Sequence, residues 1–121
     1  MESVEYESNL KTKNEQDTLI RDILRSLGLN TSHKGTILLI EAIKYVYNSN
    51  TEFIIIDNIY SLIKENYKSF NISQIKMTIK YAIDHRIEEK TVKNFKRIFG
   101  FDYDEYIFTN KNIIEEIARI I

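Results

Sequence analysis

The sequence predicts an all-α domain of about six helices, and three observations support this prediction. Apolar residues recur at the 3.6-residue period of a helix along most of the chain. Residues that start or stop helices separate these periodic segments. No segment shows the two-residue alternation that is typical of a half-buried strand. With 121 residues, of which 43% are hydrophobic, the chain has the size and apolar content of one domain with its own core.

An acidic arm precedes the first predicted helix. Residues 1–13 mix charged and polar side chains without apolar periodicity, which is typical of a flexible segment. We therefore place the folded domain at residues 14–121. Helix one is predicted over about 14–27, because its apolar residues follow the helical period and Gly28 provides a left-handed stop.

Helices two and three are predicted on either side of a polar break at residues 48–50. Thr31 or Ser32 is expected to cap helix two, whose apolar residues line one side. The segment 53–67 opens with β-branched residues that are common in strands. Its apolar residues nevertheless keep the helical period over several turns, so we predict a third helix there.

The fourth helix has a clear start signal. Asn71 and Gln74 have the spacing of a capping box, in which each side chain bonds the backbone N–H of the other residue. The helix is predicted over about 72–87. An apolar stripe faces the core at Ile72, Ile75, Ile79, Ala82 and Ile83. The opposite side carries Ser73, Lys76, Met77, Lys80 and Asp84, flanked by Gln74 and Tyr81.

Two further helices complete the predicted fold. A short one at about 90–98 ends at Phe99–Gly100, and a last one begins at a Thr109 cap. The last helix is more apolar than a lone surface helix needs, so it either closes the core or makes a dimer contact. Its apolar stripe consists of Ile113, Ile114, Ile117, Ile120 and Ile121.

Composition argues against several functional classes. The chain has no cysteine, so disulfides and cysteine nucleophiles are excluded. The two histidines do not share a metal-ligand spacing and no carboxylates converge, so we expect no catalysis, no metal, no cofactor and no small-molecule substrate. The longest apolar runs are too short for a bilayer and the acidic N-terminus is unlike a signal peptide, so we expect a cytoplasmic protein.

The two histidines have simpler interpretations. His33 either caps the second helix or contacts a phosphate group together with Lys34. His85 lies near the end of the fourth helix, where a charged imidazole interacts favourably with the helix dipole, so we expect a structural role for it.

The third and fourth helices are joined by the short link Lys68–Asn71, which has the length of a helix-turn-helix connection. Such a pair places its second helix in the major groove of DNA when nearby positive charge holds the phosphates. The net charge of the chain is -1, but residues 64–97 carry nine cations against four anions, about +5. This local excess suits a DNA-binding surface, although a basic helix face is also common on soluble proteins.

The exposed side of the fourth helix is therefore the candidate reading surface. Glutamine pairs with adenine and lysine with guanine, while Met77 and the Tyr81 ring can lie against a thymine methyl group. The residues predicted to read bases are Ser73, Gln74, Lys76, Met77, Lys80 and Tyr81. The residues predicted near phosphates are Lys64, Lys68, Ser69 and Asn71.

Several short motifs occur in a fixed order along about 100 residues, and together they resemble a known family. They are Leu27–Leu29, His33–Gly35, Leu39–Ile43, Ile79–Asp84, Ile98–Gly100 and Thr109–Asn110. Their order and spacing resemble the family of C-terminal DNA-binding effector domains of Stage 0 sporulation protein A. The resemblance runs from about Ile20 to the end of the chain. It implies a six-helix fold of the response-regulator effector type, whose fourth helix enters the major groove of double-stranded DNA.

The resemblance also implies partners, and this chain differs from the family at several positions. Family members bind tandem promoter sites and touch RNA polymerase, so a homodimer on repeated sites is an option. The family's reading positions are rich in Arg, Glu and His, so a different DNA sequence is expected here. Ile107–Phe108 replace a Lys-Pro pair, which removes a DNA contact from that lysine. The receiver domain that precedes the family's effector domain has no counterpart in residues 1–13, so we expect no control by phosphorylation within this chain.

A protein–protein adaptor is the alternative function. It would act as an antagonist of a related full-length sporulation regulator or of RNA polymerase. Lys76 and Lys80 distinguish the two hypotheses, because a pure adaptor has no reason to keep this helix face basic.

Overall fold

The computed structural model describes residues 12–49 and 55–121, and within these ranges it contains six α-helices and no strand. The all-α prediction is confirmed. A short 3-10 helix, Glu105–Ile107, precedes the last α-helix and was not predicted. The α-helices are α1 (Lys13–Ser26), α2 (Lys34–Asn48), α3 (Ile56–Asn66), α4 (Ile72–Asp84), α5 (Glu88–Phe99) and α6 (Asn110–Ile120).

Helix α2 is the centre of the fold. It packs against α1, α3, α4 and α6, and Leu38, Leu39 and Ile43 are fully buried. Burying one such side chain contributes roughly 1.5–3 kcal/mol to folding. Because α2 is apolar on more than one side, it can hold several amphipathic helices around itself.

Backbone-to-backbone contact fixes α4 against α2. A Cβ atom at Gly35, in the first turn of α2, would lie 2.1 Å from the Thr78 carbonyl oxygen and 2.8 Å from the Ala82 Cβ. Glycine is therefore required by the space available and not by its backbone dihedrals. This close approach sets the position of α4, which carries the candidate reading surface.

The start of α5 caps the end of α1. The backbone N–H of Ile87 donates to the Gly28 carbonyl oxygen at 2.9 Å, and the Asn94 side chain donates to the Ser26 carbonyl oxygen at 2.8 Å. The Thr91 hydroxyl donates to the Leu27 carbonyl oxygen. These bonds satisfy carbonyl groups that the end of a helix leaves without partners. Gly28 adopts the predicted left-handed conformation, with φ of +94°.

The first two helices begin at residues other than those predicted. Thr12 forms a capping box with Glu15, so α1 begins at Lys13 and ends at Ser26. The predicted caps Thr31 and Ser32 are wrong for α2. Its cap is His33, whose Nδ1 accepts a hydrogen bond from the Gly35 backbone N–H at 2.9 Å. Of the two roles considered for His33, capping is confirmed.

Helices α3 and α4 are shorter than predicted. Helix α3 begins at Ile56 and follows Ile55, which is extended and exposed, while the predicted positions 53 and 54 lie outside the described residues. Helix α4 ends at Asp84 and not at residue 87, because the chain turns so that Ile87 can bond Gly28. Ile72, predicted to face the core, is partly exposed.

The last two helices match their predictions more closely. Helix α5 extends beyond the predicted 90–98 at both ends and stops at Gly100, which has φ of +85°. The Thr109 cap of α6 is confirmed, since its hydroxyl accepts from the Asn112 backbone N–H. In α6 the apolar stripe closes the core, because its central residues are fully buried: Ile113, Ile114 and Ile117.

Candidate nucleic-acid interface

The outward side of α4 is open to solvent. The helix buries Ile75, Ile79, Ala82 and Ile83 on its other side. Met77 and Tyr81 are 57% and 51% exposed, large fractions for apolar side chains of this size. All six residues predicted to read bases are exposed: Ser73, Gln74, Lys76, Met77, Lys80 and Tyr81.

The first turn of α4 is held by the predicted capping box. The Asn71 Oδ1 accepts from the Gln74 backbone N–H, and the Gln74 Oε1 accepts from the Asn71 backbone N–H, each at 2.8 Å. Bidentate pairing with adenine uses both the oxygen and the nitrogen of a glutamine amide. Because the Gln74 oxygen already accepts a bond, its amide nitrogen is the group best placed to meet a base edge.

The C-terminal half of α4 carries a neutralised lysine. The Lys80 ammonium lies 2.7 Å from the Asp84 carboxylate, one turn further along the same side of the helix. Both side chains are about half exposed, and ion pairs of this kind contribute little to stability. A DNA phosphate or a guanine edge can therefore compete with Asp84 for the Lys80 ammonium.

The four residues predicted near phosphates lie at the end of α3 and in the link to α4, but their roles differ. The Lys64 ammonium donates to the Phe70 carbonyl oxygen at 3.0 Å, so this lysine stabilises the turn. The Asn71 side chain is occupied by the cap. Lys68 and Ser69 are exposed in the turn, and Lys68 forms no ion pair with a carboxylate in the described part of the chain.

Lys34, the first residue of α2, also lies next to this turn. Its ammonium lies 5.1 Å from the centre of the Phe70 ring, a cation–π contact between the start of α2 and the link before α4. From the sequence, Lys34 was expected only to accompany His33 at a phosphate group. The motif His33–Gly35 was the signal that these residues matter, but it did not show which surface they would join.

Three aromatic rings stack beside the reading surface. The Tyr81 and His85 ring centres are 3.7 Å apart with planes 20° apart, and the His33 and Tyr81 ring centres are 5.1 Å apart with planes 19° apart. A groove of about 510 Å³ runs along these rings and is also lined by Met77, Thr78, Lys80 and Asp84. The proximity of His33 to α4 was not predicted, because this contact joins the start of α2 to a helix far along the chain.

A second groove lies on the other flank of α4. It has a volume of about 310 Å³, and its lysines are Lys76, Lys80 and Lys111. Asn110 lines it and donates from its Nδ2 to both the Tyr60 hydroxyl oxygen and the Lys76 carbonyl oxygen. Burial raises the pKa of the Tyr60 hydroxyl, and the bond from Asn110 opposes this shift.

No group of three or more His, Cys, Asp or Glu side chains within residues 12–49 and 55–121 is arranged to hold a metal ion. None of α1–α6 combines the length and the apolar character that a membrane-spanning helix requires.

Comparison with known proteins identifies the family. The chain matches the family model described as "Sporulation initiation factor Spo0A C terminal" over residues 20–121. The chain belongs to this family. Searches of curated proteins and of solved structures give no match.

Membership of the Spo0A C-terminal family confirms the resemblance found in the sequence. The family is a sporulation-related, DNA-binding effector domain that regulates transcription, and it is not known as an enzyme. The match begins inside α1 and includes all of α2–α6. The exposed side of α4, both grooves and the three-ring stack therefore lie within the part of the chain that the Spo0A family defines.

Proposed function

We propose that this chain is a sequence-specific regulator of transcription that reads double-stranded DNA with α4. In this proposal α3 and α4 form a helix-turn-helix, α4 enters the major groove, and the turn between them lies along the phosphate backbone. One observation carries the proposal. In a chain that belongs to a DNA-binding family, α4 exposes one whole side, which bears Lys76 and Lys80, while its other side packs into the core.

The charge distribution supports the same orientation. Lys34, Lys68 and Lys76 are exposed around α4 and form no ion pair with a carboxylate in the described residues. Lysine contacts with phosphates release counterions and supply affinity that depends on salt but not on sequence. Discrimination between sequences then falls to the outward side chains of α4. Contact with RNA polymerase and dimer formation on tandem sites are further expectations from the family resemblance.

Selection of bound fragments from a random pool of duplex DNA tests the proposal with the full chain. We expect an enriched motif. Lys80→Ala should then weaken binding to that motif by about 1–3 kcal/mol, with a smaller effect on random duplexes. Lys68→Ala should weaken binding to all duplexes alike and reduce the salt slope by about one. If no motif is enriched, or if neither variant differs from the parent in a salt titration, α4 does not read DNA.

A protein–protein adaptor is the second candidate, and specific observations favour it. Met77 and Tyr81 are apolar and more than half exposed, and Asp84 neutralises Lys80. Such a surface also suits a protein partner. The adaptor hypothesis expects no enriched DNA motif and no effect of Lys68→Ala on partner binding. The same selection therefore separates the two functions.

A further inference from the structure

The three stacked rings are held in place from both ends by the backbone. His33 Nδ1 accepts from the Gly35 N–H at 2.9 Å, so its proton is on Nε2. His85 Nδ1 lies 2.9 Å from the Tyr81 carbonyl oxygen. A carbonyl oxygen only accepts, so this nitrogen of His85 must donate. The Tyr81 ring is thus stacked with two imidazoles whose positions are set by hydrogen bonds.

Fixing an exposed tyrosine in this way has a consequence for binding. An exposed aromatic side chain ordinarily loses rotational freedom when it meets a ligand, which weakens binding. The stack has already restricted the Tyr81 ring before any ligand arrives. Tyr81 therefore presents a rigid apolar surface on the outward side of α4, although it is 51% exposed.

The groove beside the rings has a mainly apolar lining that also includes two charged side chains. Met77 contributes a thioether chain and Thr78 also lines the groove, while Lys80 and Asp84 supply charge. A polar group that enters an apolar site without a partner loses its bonds to water. An apolar group attached to a molecule that can lie beside Lys80 and Asp84 therefore fits this groove.

Along the major-groove edges of DNA, the C5-methyl group of thymine is the one apolar group that a base pair presents. We propose that His33, Tyr81 and His85 form a platform that recognises a thymine methyl group, with His33 acting as a positioning residue through the Tyr81 ring. This inference rests on the proposed function, since α4 must enter the major groove for the platform to reach a base. It adds two residues outside the predicted reading set: His33, the N-cap of α2, and His85, directly after α4.

Deoxyuridine provides a probe that removes only the methyl group. In the motif obtained by selection, each thymine is replaced singly by deoxyuridine, which keeps its base pairing. Binding of the full chain is measured by fluorescence anisotropy at one salt concentration. We expect at least one position where the replacement weakens binding about three- to tenfold, the size of effect that losing one buried methyl group produces.

His33→Asn is the decisive variant. Asparagine is a good helix cap, so it keeps the acceptor for the Gly35 N–H while removing the stacked ring. Thermal unfolding followed by circular dichroism checks that α2 is intact. We expect the variant to bind the thymine duplex about three- to tenfold more weakly and to show no further loss with deoxyuridine. A merely structural role for His33 would leave the deoxyuridine penalty unchanged.

Tyr81→Ser and Tyr106→Ser form a matched pair. Tyr106 is 77% exposed on the short 3-10 helix and lines neither groove beside α4. Tyr81→Ser should abolish the deoxyuridine penalty, and Tyr106→Ser should retain it in full.

The possible outcomes distinguish a failure of the ring platform from a failure of DNA reading by α4. An enriched motif whose binding is unaffected by deoxyuridine at every thymine overturns the platform and leaves DNA reading by α4 intact. A full deoxyuridine penalty in His33→Asn overturns the role of His33. If the selection enriches no motif, both the proposed function and the platform are wrong.

Discussion

The inward and outward sides of α4 differ in how strongly the rest of the fold constrains their residues. The inward side meets backbone at Gly35 and buries Ile75 and Ile79 completely, so its fit is set by the rest of the fold. The outward side holds exposed lysines and a tyrosine that other side chains position, and nothing in the core constrains which residues stand there. In the proposed function, stability and recognition depend on opposite sides of one helix, so a substitution on one side of α4 should affect one property without the other.

The largest expected effect is on the inward side. Ile79→Ala should lower the free energy of unfolding by about 2–5 kcal/mol, because it leaves a cavity beside α2. Urea denaturation measures this change. Met77→Ala, on the outward side, is the matched control and should change stability by less than about 0.5 kcal/mol. Equal losses in the two variants would contradict the division between the sides.

Gly35→Ala tests the contact that positions α4. The added methyl group would meet the Thr78 carbonyl oxygen, so the two helices must separate, at a cost of about 1–3 kcal/mol. Affinity for the selected duplex should fall as well, since His33 and Tyr81 lose their register. Gly100→Ala is the control. Its added atom meets nothing within 4 Å, so it should lose stability through its positive φ alone and keep its DNA affinity.

Asn71→Ala tests the cap at the start of α4. Removing the cap should lower stability by about 1 kcal/mol, because the Gln74 N–H loses its acceptor. Ser73→Ala lies two residues further on, is exposed and is not the cap, so thermal unfolding should show little change for it. A parent-like melting temperature for Asn71→Ala would show that the capping box contributes nothing to the helix.

Asp84→Asn should give the smallest change, and in the opposite direction. It removes the anion that pairs with Lys80, so affinity for the selected duplex should rise by up to about 1 kcal/mol with stability unchanged. Binding titrations at two salt concentrations measure the effect, which should shrink at the higher one. Weaker binding by Asp84→Asn would mean that the carboxylate itself contacts a base.

Local patterns predicted much of the fold. The inward stripe of α4 repeats at the helical period, and the Asn71–Gln74 spacing located the start of the helix to the residue. The end of α4 was not predictable in the same way. It depends on the bond between Ile87 and Gly28, two residues far apart in the chain, and no helix-stop residue stands at position 85.

The candidate site was predicted in its outline but not in its details. Exposure of the outward side follows from periodicity, and the Lys80–Asp84 spacing of four residues could have revealed the ion pair. His33 was harder, because Thr31 and Ser32 are better caps by residue type and the stack with Tyr81 is a tertiary contact. Residue patterns show which side chains share a helix face. They do not show which residues from distant parts of the chain will pack beside that face.

Asn110, at the start of α6, connects this helix to both helices of the proposed helix-turn-helix, α3 and α4. Through one nitrogen it is bonded to Tyr60 on α3 and to the backbone of α4 at Lys76. A ligand or protein that displaces the start of α6 must either break these two bonds or pull α3 and α4 with it. The start of α6 is therefore tied by hydrogen bonds to both α3 and α4, so a displacement there would disturb how α4 is held.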